Sequence, residues 1–127
     1  MKGVLDIVTT LDGKETKKTW DATCEFGLDS VHIHYQDEAA AVNVWLKDGR
    51  VEIERKGDYG LRMSFEEGKT LPVILDIAGS VGEIKAKTYR LGYLLSAKSC
   101  MLHLHYVLCF SETEKQEMNL RMYAKCI

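Results

Sequence analysis

Proline is almost absent from this chain, with one residue, Pro72, in 127. Aromatic residues make up only 9%, and neither charge sign dominates, with 17 Lys and Arg against 19 Asp and Glu. A net charge of -2 gives no positive field to hold phosphate backbones, so no nucleic-acid partner is expected. Long apolar runs are missing too. The stretch Leu71–Ala78 is interrupted by Asp76, well short of the ~18 residues a membrane-spanning helix needs. The opening Met-Lys-Gly-Val-Leu-Asp has no sustained apolar signal core, and Cys24, Cys100, Cys109 and Cys126 show no C-x-x-C spacing. The expectation is a cytoplasmic protein with free thiols and no membrane association, its cysteines serving as small buried hydrophobes. There is no Gly-x-Ser-x-Gly elbow and no phosphate-cradling glycine loop, so neither enzymatic activity nor a cofactor is expected. The adjacent carboxylates Asp37-Glu38 and Glu66-Glu67 fall at strand ends and read as turn residues.

What the chain does have is apolar residues alternating with polar ones. In 15–26, Trp20, Ala22, Cys24 and Phe26 face one way while Glu15, Lys17, Thr19, Asp21, Thr23 and Glu25 face the other. A helix would scatter these charges around its circumference, whereas a strand separates them. The same period predicts strands over 3–11, 30–36, 40–47, 50–56, 59–66, 83–90, roughly 98–111, and a last strand after 115. Segment 69–78 is apolar on both faces and holds Pro72, which predicts an edge, bulged or irregular strand. Asp12-Gly13, Asp48-Gly49, Gly57-Asp58 and Glu67-Gly68 punctuate the strands as tight turns, and Gly79–Gly82 reads as a flexible connection. Hairpin connections make sequence neighbours into sheet neighbours. A meander of about ten strands leaves two open edges unless it closes. The expected fold is therefore one all-β domain over residues 1–127, an antiparallel up-and-down β-barrel of about 8–10 strands.

The run Asp48-Gly49-Arg50-Val51-Glu52-Ile53-Glu54-Arg55-Lys56-Gly57, followed by Leu61–Lys69, resembles the YwiB-like proteins, small bacterial proteins of unknown function. The resemblance is carried by Arg55, Gly57, Met63, Phe65 and Gly68, with Gly82-Glu83-Ile84, Thr88 and the Tyr106-containing hairpin also similar. Where that family usually has a Thr-Pro-x-Gly step before the late strand, this chain has Ala78-Gly79-Ser80-Val81-Gly82. The resemblance implies a lipocalin-like (calycin) barrel and no catalytic residues.

Three sets of residues carry candidate chemistry. Arg55 shares parity with Val51 and Ile53, so it points inward, where a guanidinium needs a partner and can grip a ligand anion. Trp20, Tyr35, Phe65 and Tyr106, with Phe26, Tyr59 and Phe110, fall on inward faces and either fill a core or line an apolar cavity. All four histidines form H-x-H pairs, His32/His34 and His103/His105, and each pair shares a strand face as metal ligands would. Both pairs lie opposite the more apolar face. Trp45 has outward parity, as do Met101, Val107 and Cys109. Three functions follow: a non-enzymatic barrel holding a small apolar or amphipathic ligand in its interior; a filled barrel acting through its surface, as a homodimer or with another protein; and a metal-binding protein.

Overall fold

The computed structural model describes all of residues 1–127 and contains ten strands. They are β1 (Lys2–Leu11), β2 (Lys14–Gly27), β3 (Ser30–Gln36), β4 (Ala40–Lys47), β5 (Arg50–Gly57), β6 (Gly60–Glu66), β7 (Thr70–Ile77), β8 (Ser80–Leu95), β9 (Ser99–Cys109) and β10 (Lys115–Cys126). Every strand pairs antiparallel with its sequence neighbours. β1 then pairs with β10 from Gly3↔Cys126 to Leu11↔Met118, which closes the barrel. Both edges predicted for an open meander are thereby removed.

Turn chemistry follows the sequence closely. At Asp12-Gly13 and Asp48-Gly49 both residues have positive φ, between 49° and 81°, the geometry that matches a two-residue hairpin to strand twist. Ala78-Gly79 has the same geometry, φ 53° and 84°, without an Asp to announce it. The expected flexible connection over 79–82 is instead this tight turn, closed by Ile77↔Ser80 and by the Gly79 amide donating to Asp76 Oδ1 at 3.1 Å.

β8 is also longer than expected, running to Leu95 rather than ending near residue 90. A bulge at Tyr89 is the reason. The pairing slips between Thr88↔Tyr106 and Arg90↔His105, so Ala86 and Thr88 face inward before it and Leu91, Tyr93 and Leu95 after it. One extra residue flips the parity, which on the sequence looks like the end of a strand. Pro72 fits its expected irregularity. β7 bonds to β8 along its whole length, but its ladder with β6 stops at Met63↔Val73, one residue short of Pro72.

The barrel's middle is filled. A cluster of 23 buried apolar residues includes Leu5, Ile33, Val44, Val51, Phe65, Leu104 and Ala124. Cys24, Cys100 and Cys126 are buried in it as free thiols. Phe65 is fully buried, and its ring centroid lies 4.7 Å from that of Tyr106. Two inward expectations fail. Phe110 lies past the end of β9, in a bend closed by its amide bonding to Glu114 O, and is 47% exposed. Tyr59 sits in the β5–β6 turn rather than in β6 and is also exposed. Alternation cannot show where a strand starts or stops, so parity alone turns both inward although Tyr59 precedes β6 and Phe110 follows β9.

Phe65→Ala removes the largest fully buried side chain and is expected to cost about 3–5 kcal/mol of unfolding free energy. Urea denaturation measures it. A loss under about 1 kcal/mol is incompatible with a solid barrel centre.

Candidate functional site

An up-and-down barrel gathers alternate turns at opposite ends. The β1–β2, β3–β4 and β5–β6 turns share one end, and that end is open. The cause is a mismatch in strand length. β2 has 14 residues and β3 has 7, so the β2–β3 ladder stops at Ala22↔Tyr35. The first part of β2, still bonded to β1 and through it to β10, runs on past the β3–β4 turn as a free edge of the wall. Of its inward side chains, Thr16 and Lys18 are exposed and Trp20 is only partly covered.

The result is an open cleft of about 480 Å3 lined by Ile7, Thr9 and Leu11 from β1, Thr16, Lys18 and Trp20 from β2, Tyr35, residues 37–39, and Arg55. Trp20 stacks against Tyr35 with centroids 6.2 Å apart, and the Lys18 ammonium lies 5.8 Å from the Trp20 ring. Burial, with the Asp37 carboxylate adding to it against the opposing pull of Arg55, pushes the Tyr35 phenol up to about 12. It is therefore a neutral hydroxyl at physiological pH.

Arg55 reaches the open end inward, as its parity requires, but its guanidinium is occupied. Nη1 donates to Asp58 Oδ1 at 2.7 Å and to the Tyr59 carbonyl at 2.9 Å; Nε lies 3.8 Å from Asp37 Oδ2. The Tyr59 ring stacks 3.8 Å from it. The Arg55 bond in turn holds the Asp58 carboxyl below its ordinary range. Asp37 also braces the β3–β4 turn, its Oδ1 accepting from the Ala39 and Ala40 amides at 2.8 and 2.7 Å. Arg55 thus ties two turns together at the rim. Lys18 makes no ion pair.

Of the side chains expected to meet a ligand, Trp20, Tyr35 and Arg55 come together here. Phe65 and Tyr106 do not; they belong to the packed middle. Burial pushes the Tyr106 phenol up to about 12. Sequence reasoning missed Lys18 and Thr16. Both have Trp20's parity, and polar residues at inward positions mark where the interior stops being dry.

The histidine pairs lie on the outer wall and far apart. β2, β1 and β10 stand between β3 and β9, roughly 19 Å around the wall at ~4.8 Å per strand. No three His, Cys, Asp or Glu side chains are grouped to hold a metal ion, so the four-nitrogen arrangement is not formed. Each pair has a local partner instead. Asn43 Oδ1 is 2.8 Å from His32 Nε2 and 3.0 Å from His34 Nδ1, and Asn119 Oδ1 is 3.3 Å from His103 Nε2. Trp45, on the exterior as expected, lies flat on His32 at 5.0 Å.

These features define a class: a closed ten-stranded meander barrel with a solid middle and one polar, aromatic-lined opening. The chain belongs to the DUF1934 family, a domain of unknown function, whose model matches residues 6–122. Its structure is similar to the crystal structure of the ywiB protein from Bacillus subtilis, with a TM-score of 0.77 and 15% identity over 98% of this chain and 89% of that one. At that identity the likeness concerns the fold. The family resemblance read from Arg55 to Gly68 is borne out. No curated protein matches this chain.

The buried phenols and thiols predict an alkaline limb in stability. Burial raises Cys24 and Cys100 from 9 to about 11, and Tyr35 and Tyr106 from 10 to about 12. Below pH 9 all four are protonated in folded and unfolded chains alike, and stability is full. As pH rises the unfolded chain loses these protons first, so stability falls between about pH 9 and 12. Urea midpoints at pH 8, 10 and 11 test this, with Tyr106→Phe expected to shallow the decline above pH 10. A flat profile to pH 11 contradicts the burial of these groups.

Proposed function

We propose that the protein is a non-enzymatic binding module that takes a small amphipathic ligand at the open end of the barrel. The observation that carries this reading is the convergence of Trp20, Tyr35 and Lys18 in one solvent-open cleft of about 480 Å3. That volume suits a small molecule. The stacked rings offer an apolar shelf for its body. Lys18 offers an uncommitted cation for an anionic group, while Arg55, already satisfied by Asp58 and Asp37, keeps the rim in shape.

The ligand seat lies at the mouth rather than in the barrel's interior, because the interior is occupied by side chains. A peptide strand is a poor occupant. The free β2 edge there carries Lys14, Glu15, Lys17, Lys18 and Asp21, and such charges oppose edge-to-edge pairing.

8-Anilinonaphthalene-1-sulfonate, an aromatic body with a sulfonate, is a suitable probe. The expected result is saturable fluorescence enhancement, weakened about tenfold, or ~1.4 kcal/mol, by Lys18→Glu and by Trp20→Ala. Leu94→Lys, on the outer wall, is expected to leave it unchanged. Binding that neither cleft variant alters, or no saturable binding, contradicts the proposal.

A further inference from the structure

The outer wall across β8, β9 and β10 carries two adjacent rows of different character. In the first, Leu94 pairs with Met101 and Met101 with Tyr123. These apolar side chains are 70%, 52% and 38% exposed. The second row, two residues along each strand, is Gly92, His103 and Arg121. Gly92 has no side chain on this face, and nothing lies within 4 Å of where its Cβ would stand. Together the rows bound a depression of about 370 Å3. A leucine protruding beside a glycine-floored notch, near the end of the β8–β9 ladder, has no use in the barrel's own packing.

The two rows complement each other. When two copies meet face to face, their two-fold axis lies in the contact plane. An axis running across the strands between the rows sets the first row of each copy on the second row of the other. Leu94 then enters the partner copy's notch at Gly92. Tyr123 meets Arg121, a ring against a cation. Met101 meets His103, a thioether against an aromatic ring. Arg121 is tied to Glu15 at 2.9 Å, and an in-plane ion pair leaves the flat faces of a guanidinium free to stack. Knob matches hole and cation matches ring at once, as an isologous contact requires.

We propose that this face is the interface of a homodimer, with a second copy of this chain as its occupant. The surface is convex and the matched rows span three strands, so the buried area falls at the small end of specific interfaces and the dimer is weak. The dissociation constant is expected on the order of 10–100 μM.

Sedimentation equilibrium of the full chain from about 1 to 500 μM tests this. The expected result is a weight-average mass that climbs from 14.4 kDa towards twice that value. Leu94→Lys, which charges the knob, and Gly92→Leu, which fills the notch, are each expected to raise the dissociation constant at least tenfold. Both positions lie outside the core, so unchanged melting temperatures keep the test clean. Trp45→Ala, on the wall at β4, serves as a control that leaves dimerisation intact. A mass of 14.4 kDa at every concentration overturns the proposal. So does a dimer indifferent to both variants, or one lost on Trp45→Ala.

Discussion

β1 bonds on one side to β2, its immediate successor, and on the other to β10, the last strand of the chain. The second of these ladders turns a curled sheet into a barrel. It runs over nine residue pairs, Gly3↔Cys126 through Leu11↔Met118, and joins the two ends of the sequence. At Gly3 a Cβ would stand 2.6 Å from the Lys125 carbonyl oxygen, so a larger residue would push the strands apart there. Closure is a non-local contact that must overcome a large loss of chain entropy before it stabilises anything. Once made, it encloses the side chains of the barrel's middle and leaves β1 and β10 no free edge.

The open end follows from the same geometry. A closed barrel needs matched strand lengths for a uniform rim, and β2 and β3 are not matched. The excess of β2 stays bonded to β1 and stands beyond the β3–β4 turn, so part of the inner face is exposed at that end. Arg55 then serves the rim. It sits at inward parity near the end of β5, and the acids of two turns converge on it. Its charge is balanced by structure, which leaves Lys18 as the cation open to a ligand.

Much of this was legible from residue order. The alternation in β2, β3, β4 and β10 is strict, and Asp12-Gly13 and Asp48-Gly49 mark their turns, so strand count, connectivity and inward faces could be read directly. What escaped did so for identifiable reasons. The Tyr89 bulge shifts parity by one, hiding the second half of β8. Ala78 adopts a turn geometry that Asp or Asn usually signals. Tyr59 and Phe110 kept the right parity but fell beyond the last pair of their ladders. For the site, parity brings Trp20, Tyr35 and Arg55 to the inside but does not separate mouth from middle, so by parity alone Phe65 and Tyr106 belong with them. That distinction depends on relative strand lengths, which residue spacing alone conveys poorly. The two H-x-H pairs had matching local patterns. Their separation by three strands became visible only once the closing order was known.

Native-state amide hydrogen exchange tests the closure and its consequence together. The account predicts that amides in the β1–β10 ladder are protected as strongly as those of β4 and β5, opening only with global unfolding. It also predicts fast exchange for the β2 amides between Lys14 and Asp21 that face the opening, because the β2–β3 ladder ends at Ala22↔Tyr35. If β1 and β10 exchange rapidly, as fraying edges do, the barrel is not closed in solution and the account fails at its centre.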